Sequence, residues 1–295
     1  MKNPDNSACW LCGENAVLTA EHIPPRRAFN ERAVILQRVS EASIHAGHID
    51  WEDGPLLENG YQANSLCSKC NNRAGDVFAP SYIEFTKQVA AAVTSPLQLT
   101  TVRLERVRNP QLILRQILMQ FVTSNGASFV EANSWIRQIL HTRHPSALPS
   151  NVHLYIFATQ DRTMRTSGIS GRMLVNQNRY QIVSEFSCWP LGTLLSFTPL
   201  DDEPVMPIRD WVEIQFKSKK LLSFDLPVNE IASPYPVDFR GPDSILRGVT
   251  AQATKLPSES LVREMMLAVN HVRGDHDNNS RILTAHPSYK NLISK

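Results

Sequence analysis

The sequence predicts an α+β protein on three features. Two Cys-x-x-Cys pairs, Cys9/Cys12 and Cys67/Cys70, bracket a first segment rich in Asn, Pro and charge and poor in long apolar periodicities. That pattern belongs to a small module held by metal rather than by a large core. Apolar residues then recur at helical spacing over residues 81–145. Short runs rich in β-branched and aromatic residues, separated by turn residues, fill 151–226, which reads as an antiparallel sheet of about five or six strands.

The chain has 295 residues, enough for one large domain or two smaller ones. The expected division is a metal-bound module at 1–80 and an α+β domain at 81–295. In the module, Gly13 directly after Cys12 suits the tight backbone of a zinc knuckle. Asn71-Asn72-Arg73 after the second pair is expected to open a helix, and one knuckle plus one helix N-terminus is the treble-clef arrangement. A helix is expected around Tyr82 to Val93.

Asn109-Pro110 reads as a helix start, with Asn as cap and Pro in the first turn. Leu112, Ile113, Ile117, Leu118, Phe121 and Val122 follow at helical spacing until Asn125-Gly126 ends the helix. Ser128 is expected to cap a second helix carrying Val130, Trp135, Ile136, Ile139 and Leu140, stopped by Pro145, and the two helices form a hairpin. Strands are expected at 152–157, 171–175, 179–186, 193–197, 211–216 and 220–226, and irregular chain at 227–241. Ser258 is expected to cap a last helix to Val272, followed by a polar, disordered tail after Gly274.

Composition excludes some classes. Net charge is +2, so nucleic acid would have to be met by local patches rather than by bulk charge. No run is long and apolar enough to span a membrane, since Leu112–Val122 is interrupted by Arg115, Gln116 and Gln120. The opening MKNPDNSACW shows no basic region followed by an apolar stretch, so no secretory leader is expected and cytoplasm is the expected compartment. In that reducing setting two Cys-x-x-Cys pairs read as a zinc site, and Cys188 as a buried small apolar residue.

Zinc held by Cys9, Cys12, Cys67 and Cys70 has no open position, so this ion is structural and any chemistry lies elsewhere. Between the pairs stands Glu21-His22-Ile23-Pro24-Pro25. A carboxylate suits a hard cation such as Mg²⁺, and an imidazole can take a proton from water near neutral pH. Strand alternation would send the two side chains to opposite faces, so both roles need a strand end there, which Pro24-Pro25 supplies.

Cys9-x-x-Cys12-Gly13, then Glu21-His22-Ile23-Pro24-Pro25 with Phe29, then Leu66-Cys67-x-x-Cys70-Asn71-Asn72 resembles the zinc-stabilised branch of the HNH endonuclease family, which has the ββα-metal fold. The resemblance covers Cys9 to about Asp76. It implies that His22 is the general base, that Glu21 and Asn71 hold a catalytic Mg²⁺ or other divalent ion, and that the family's middle Asn, which steadies the His, is Asn64, with Gln62 and Asn59 competing for the place. Ala28 to Gly60 is longer than the usual loop and reads as an insertion.

Plainer readings stand beside these. Glu21-His22 could be a surface pair, Asn71 a helix cap, and His45 and His48 loop residues within the insertion. Arg26, Arg27, Arg32 and Arg38 suit phosphate, or form a solvated basic face; Arg103, Arg106 and Arg108 read as a surface edge, and Trp10 as packing on the knuckle.

The expected function is metal-dependent hydrolysis of phosphodiester bonds in nucleic acid, DNA in preference to RNA. The alternatives are a non-catalytic treble-clef module that binds nucleic acid or protein, and a defence or toxin nuclease gated by a protein or ligand partner of the C-terminal domain.

Overall fold

Gly13 makes the first turn of the described residues. Its φ of +81° is open to glycine without strain. The chain folds back there between β1 (Ser7–Ala8) and β2 (Asn15–Ala16), with the Gly13 N–H donating to the Cys9 carbonyl at 2.8 Å and the Cys9 N–H to the Glu14 carbonyl at 2.9 Å. The computed structural model describes residues 7–39, 51–94, 99–143, 147–162, 164–174, 179–201, 204–214, 220–229 and 259–274.

β3 (Leu18–His22) runs toward an insertion made of β4 (Val34–Val39) and β5 (Trp51–Leu57), which pair antiparallel as a two-stranded arm. His45 and His48 lie outside the described residues. The chain returns on β6 (Gln62–Cys67), antiparallel to β3 from Leu18↔Cys67 to His22↔Gln62. α1 (Ser68–Arg73) follows at once, so hairpin and helix stand in ββα order. The helix starts at Ser68 rather than Asn71, which puts Cys70 on the helix itself. A π-helical stretch, Ala74–Phe78, carries it into α2 (Ala79–Val93). The boundary expected at residue 80 falls inside this unbroken run.

After β7 (Thr101–Val107) comes α3 (Pro110–Ala132), broken at Gly126 with φ 86° and ψ −177°. The break is where Asn125-Gly126 placed it. The start is placed correctly too, but by different chemistry: Asn109 sits in the left-handed region at φ 51°, and its amide donates to Ser81 Oγ at 3.2 Å instead of capping the helix. α3 is buried on every side from Pro110 to Thr123, as expected of a central helix rather than an amphipathic surface one. Its Arg115 is buried against the Phe78 ring and donates to the carbonyls of Thr142 and Arg143 just beyond α4 (Trp135–His141).

The sheet is built from β8 (His153–Ala158), β9 (Arg165–Leu174), β10 (Arg179–Cys188), β11 (Leu191–Ser196) and β12 (Met206–Pro207), in the order β12-β8-β11-β10-β9, with every pair antiparallel. Alternation on β8 sends Leu154, Ile156 and Ala158 into the main core, while Tyr155 and Phe157 join a small second cluster with Val183, Leu194 and Leu200.

Two expected strands behave differently. The described part of the run expected at 211–216 does not form one: Arg209–Glu213 is a 3-10 helix that buries Trp211 and Val212, and residues 215–216 lie outside the described residues. Trp211 stands edge-on to Phe85 at 6.0 Å and 5.7 Å from Phe224, so aromatic packing overrides its strand propensity. β13 (Leu222–Pro227) forms, but pairs with β7 rather than with the sheet. α5 (Glu259–Arg273) lies on α3, β9 and β10; Ser258 and the tail lie outside the described residues.

Helix and antiparallel sheet are thus combined as an α+β fold. A single main core runs from Cys9, Leu11, Ile23 and Leu66 through Phe78 and Phe121 to Leu154 and Val269. Among the described residues no helix is long and apolar enough to cross a membrane.

Candidate metal centre and the His22 face

Two turns bring four thiols together. The knuckle between β1 and β2 presents Cys9 and Cys12, and the β6–α1 junction presents Cys67 and Cys70. All four sulfur atoms lie within 4.8 Å of one another, and Cys12 Sγ is 3.9 Å from Cys67 Sγ. Zinc–sulfur bonds of about 2.3 Å in a tetrahedron place sulfurs about 3.8 Å apart, so the cluster fits such an ion. Among the described residues it is the one group of three or more His, Cys, Asp or Glu side chains able to share a metal.

The electrostatics of the cluster call for a cation. Burial works to raise the Cys9 thiol, but backbone N–H groups of Cys12, Cys67 and Leu11 outweigh it and bring the thiol down to about 7. Cys70 is pushed far up by burial and then by the charge on Cys9, and Cys12 is raised by burial. One thiolate comes readily and the next are opposed, which a bound divalent ion reverses. Cys188 is far from this role: it is buried, and burial pushes its thiol up to about 12.

Glu21 and His22 leave β3 on opposite sides. Glu21 is buried, and its carboxyl takes hydrogen bonds from Ser65 Oγ at 3.4 Å and Thr123 Oγ1 at 3.5 Å. Burial raises it to about 8, against the two hydroxyl donors. The hard-cation site expected on Glu21 does not match this position, because the carboxyl faces α3 in the core and is held neutral at pH 7. Asn71 donates through Nδ2 to Thr19 Oγ1 at 2.9 Å and to the Ala20 carbonyl at 3.2 Å. It ties α1 to β3 and does not cap the helix, whose cap residue is Cys67.

His22 is half-buried at the end of β3. Its Nε2 lies 3.1 Å from the Asn59 carbonyl oxygen and 2.9 Å from the Gln62 amide nitrogen. The Asn59 carbonyl can only accept and the Gln62 amide nitrogen can only donate, so the two contacts belong to different tautomers. With the hydrogen on Nε2 the ring donates to Asn59 and Nδ1 keeps its lone pair; with the hydrogen on Nδ1 the ring accepts from Gln62. Burial lowers the imidazole from its ordinary value, with the Arg26 charge adding to this and the Asn59 bond opposing it. A neutral ring with a free nitrogen can accept a proton. Of the three candidates for the residue that steadies His22, Asn59 and Gln62 meet it, while Asn64 is exposed on β6 opposite Ala20. Register decides this, since Gln62 is the residue directly across from His22.

Two supporting residues have no sequence signal. Asn30, buried in the turn after Pro24-Pro25, donates to the carbonyls of Pro24 (2.8 Å) and Tyr61 (2.9 Å) and accepts from the Tyr61 N–H (2.8 Å). It closes the stem of the inserted arm beside His22. Arg137 on α4 donates to the Leu11 carbonyl at 2.7 Å, docking the knuckle on the helices. Arg26, Arg27 and Arg32 are exposed around the same turn.

No protein-family model, curated protein or solved structure matches this chain.

Proposed function

We propose that the protein hydrolyses phosphodiester bonds in nucleic acid, DNA in preference to RNA, as an HNH-type nuclease with His22 as general base and zinc in the four-cysteine site as a structural ion. The observation that carries this reading is the half-buried His22 ring. It ends a strand of the ββα unit beside the four cysteines, with Nε2 against the Asn59 carbonyl and the Gln62 amide nitrogen. In the tautomer that donates from Nε2 to Asn59, Nδ1 takes the proton of an attacking water, and exposed Arg26 lies close enough for its charge to act on the ring and for its guanidinium to meet the phosphate. The expected Glu21-bound divalent ion would require the carboxyl to leave Ser65 and Thr123, so no role in the step falls to Glu21.

The test is cleavage of plasmid DNA and of RNA by the full, zinc-loaded chain with Mg²⁺, Mn²⁺ or Ni²⁺. Wild type is expected to cut, and His22→Ala to lose about 100-fold or more with zinc content unchanged. No cleavage by wild type under any of these conditions would sink the nuclease reading.

The burial of Glu21 favours one second reading, a treble-clef module that binds nucleic acid without cutting. It predicts equal binding by wild type and His22→Ala and no product from either.

A further inference from the structure

Seven residues along the chain from His22, the turn that carries Asn30 meets the sheet. A pocket of about 220 Å³ opens there between Phe29, Glu31 and Arg32 on one side and Arg162, Met164 and Trp189 on the other. Its aromatic wall is set by packing: Phe29 is held in the left-handed region at φ 69° and meets Trp189 edge-on at 4.7 Å. The Arg162 guanidinium lies over the Trp189 ring, 4.6 Å from its centre. Arg162 is exposed, and among the described residues no carboxylate pairs with it.

We propose that this pocket binds one nucleotide, with the base stacked on the outer face of Arg162 and the phosphate on Arg32. A guanidinium laid on an indole keeps its second face and its edge N–H groups open, and nucleobases stack on arginine planes as they do on aromatic rings. The result is a Trp189–Arg162–base stack. Arg32 supplies a second cation at the rim, while the Glu31 carboxylate repels a bare anion and can accept from an exocyclic amino group. Size sets the limit: pockets for drug-sized ligands run roughly 300–1,000 Å³, so this one takes a single base with its phosphate and nothing larger. The ligand is either a free mononucleotide or one unit of a strand. The assignment stands on the pocket alone and shares only its ligand class with the nuclease reading.

The test uses the full zinc-loaded chain carrying His22→Ala, so that a strand would stay intact. Binding of adenosine 5′-monophosphate, ribose 5-phosphate and a labelled octadeoxyadenylate is measured by calorimetry and fluorescence anisotropy. Adenosine 5′-monophosphate or the octamer is expected to bind, and ribose 5-phosphate at least about tenfold more weakly than the mononucleotide, on the scale of one lost base stack. Arg162→Ala and Arg162→Lys are both expected to lose about tenfold, because lysine keeps the charge and not the plane. Tighter binding of the octamer, displaced by the mononucleotide, identifies a strand site; the reverse order identifies a free nucleotide. Arg162→Lys binding as well as its parent, equal binding of ribose 5-phosphate, or no binding of either nucleotide ligand by folded protein would each overturn the proposal. Circular dichroism and zinc content verify the fold of each variant, and cleavage is not a readout, so failure here leaves the His22 test untouched.

Discussion

Adjacent residues on β3 have opposite protonation problems. His22 is lowered by burial and by Arg26, so the ring is neutral at pH 7 and stays neutral somewhat below its ordinary 6.5. If it is the base, the acid limb of the cleavage profile lies below that value. Removing the Arg26 charge moves the limb toward higher pH, which a pH–rate profile of Arg26→Ala measures. Glu21 is raised from 4.5 to about 8. A raised folded-state value means that the folded protein binds the extra proton. The contribution of Glu21 to stability is therefore fully present below about pH 4.5 and lost as pH climbs through about 8. Across that window the loss is on the order of a few kcal/mol. Glu21→Gln keeps the shape without the titration. Its denaturation midpoint is expected to fall less between pH 5 and 8 than the wild-type midpoint does, and parallel slopes would show that the carboxyl is not held neutral in the core.

The inserted arm is the element on which the His22 face depends. Its two ends are joined by Asn30, whose amide satisfies Pro24 and Tyr61. Asn30→Ala removes three hydrogen bonds from the stem, while the Tyr61 carbonyl keeps the Ile23 N–H as a donor, and is expected to cost about 2–4 kcal/mol. Gly60, at φ +84°, is held by the same contact, since a Cβ there would collide with the Asn30 carbonyl. Gly60→Ala is expected to destabilise by more than about 1 kcal/mol. Urea denaturation of both variants measures these losses. Much of the element pattern was legible in sequence. Runs rich in β-branched and aromatic residues between turn residues located β8, β10 and β11, and Asn125-Gly126 marked the break in α3. The failure at Trp211 has a stated cause: a residue with high strand propensity is placed by the aromatic partners it meets, and Phe85 is remote in sequence.

At the scale of the molecule, the residues around the four cysteines and the helices share one core, so the N-terminal unit is not insulated from the rest. Arg137 to Leu11 and Arg73 to the His141 carbonyl clamp the two together. Without a cation the buried thiols Cys9, Cys67 and Cys70 lose the bond that would tie the knuckle to the β6–α1 junction. Chelation is therefore expected to lower the melting temperature of the whole chain in one transition, with about one zinc per chain by elemental analysis and loss of that zinc in Cys70→Ser. Two separate melting transitions, one sensitive to chelator and one not, would show that the module folds by itself.

The sequence by itself determined the α+β class, the four thiols able to share a metal and the strand-end place of His22, because each depends on short-range rules: ligand spacing, side-chain periodicity and the turn residues between elements. Only the tertiary structure decided which neighbours those groups meet. It turned Glu21 into the core against Thr123, gave His22 to Asn59 and Gln62 instead of Asn64, paired β13 with β7, and set Arg162 on Trp189 beside Phe29. The physical reason is that burial and hydrogen-bond satisfaction are properties of chain segments brought together across long separations, and a pattern read along one strand carries no record of what packs against it.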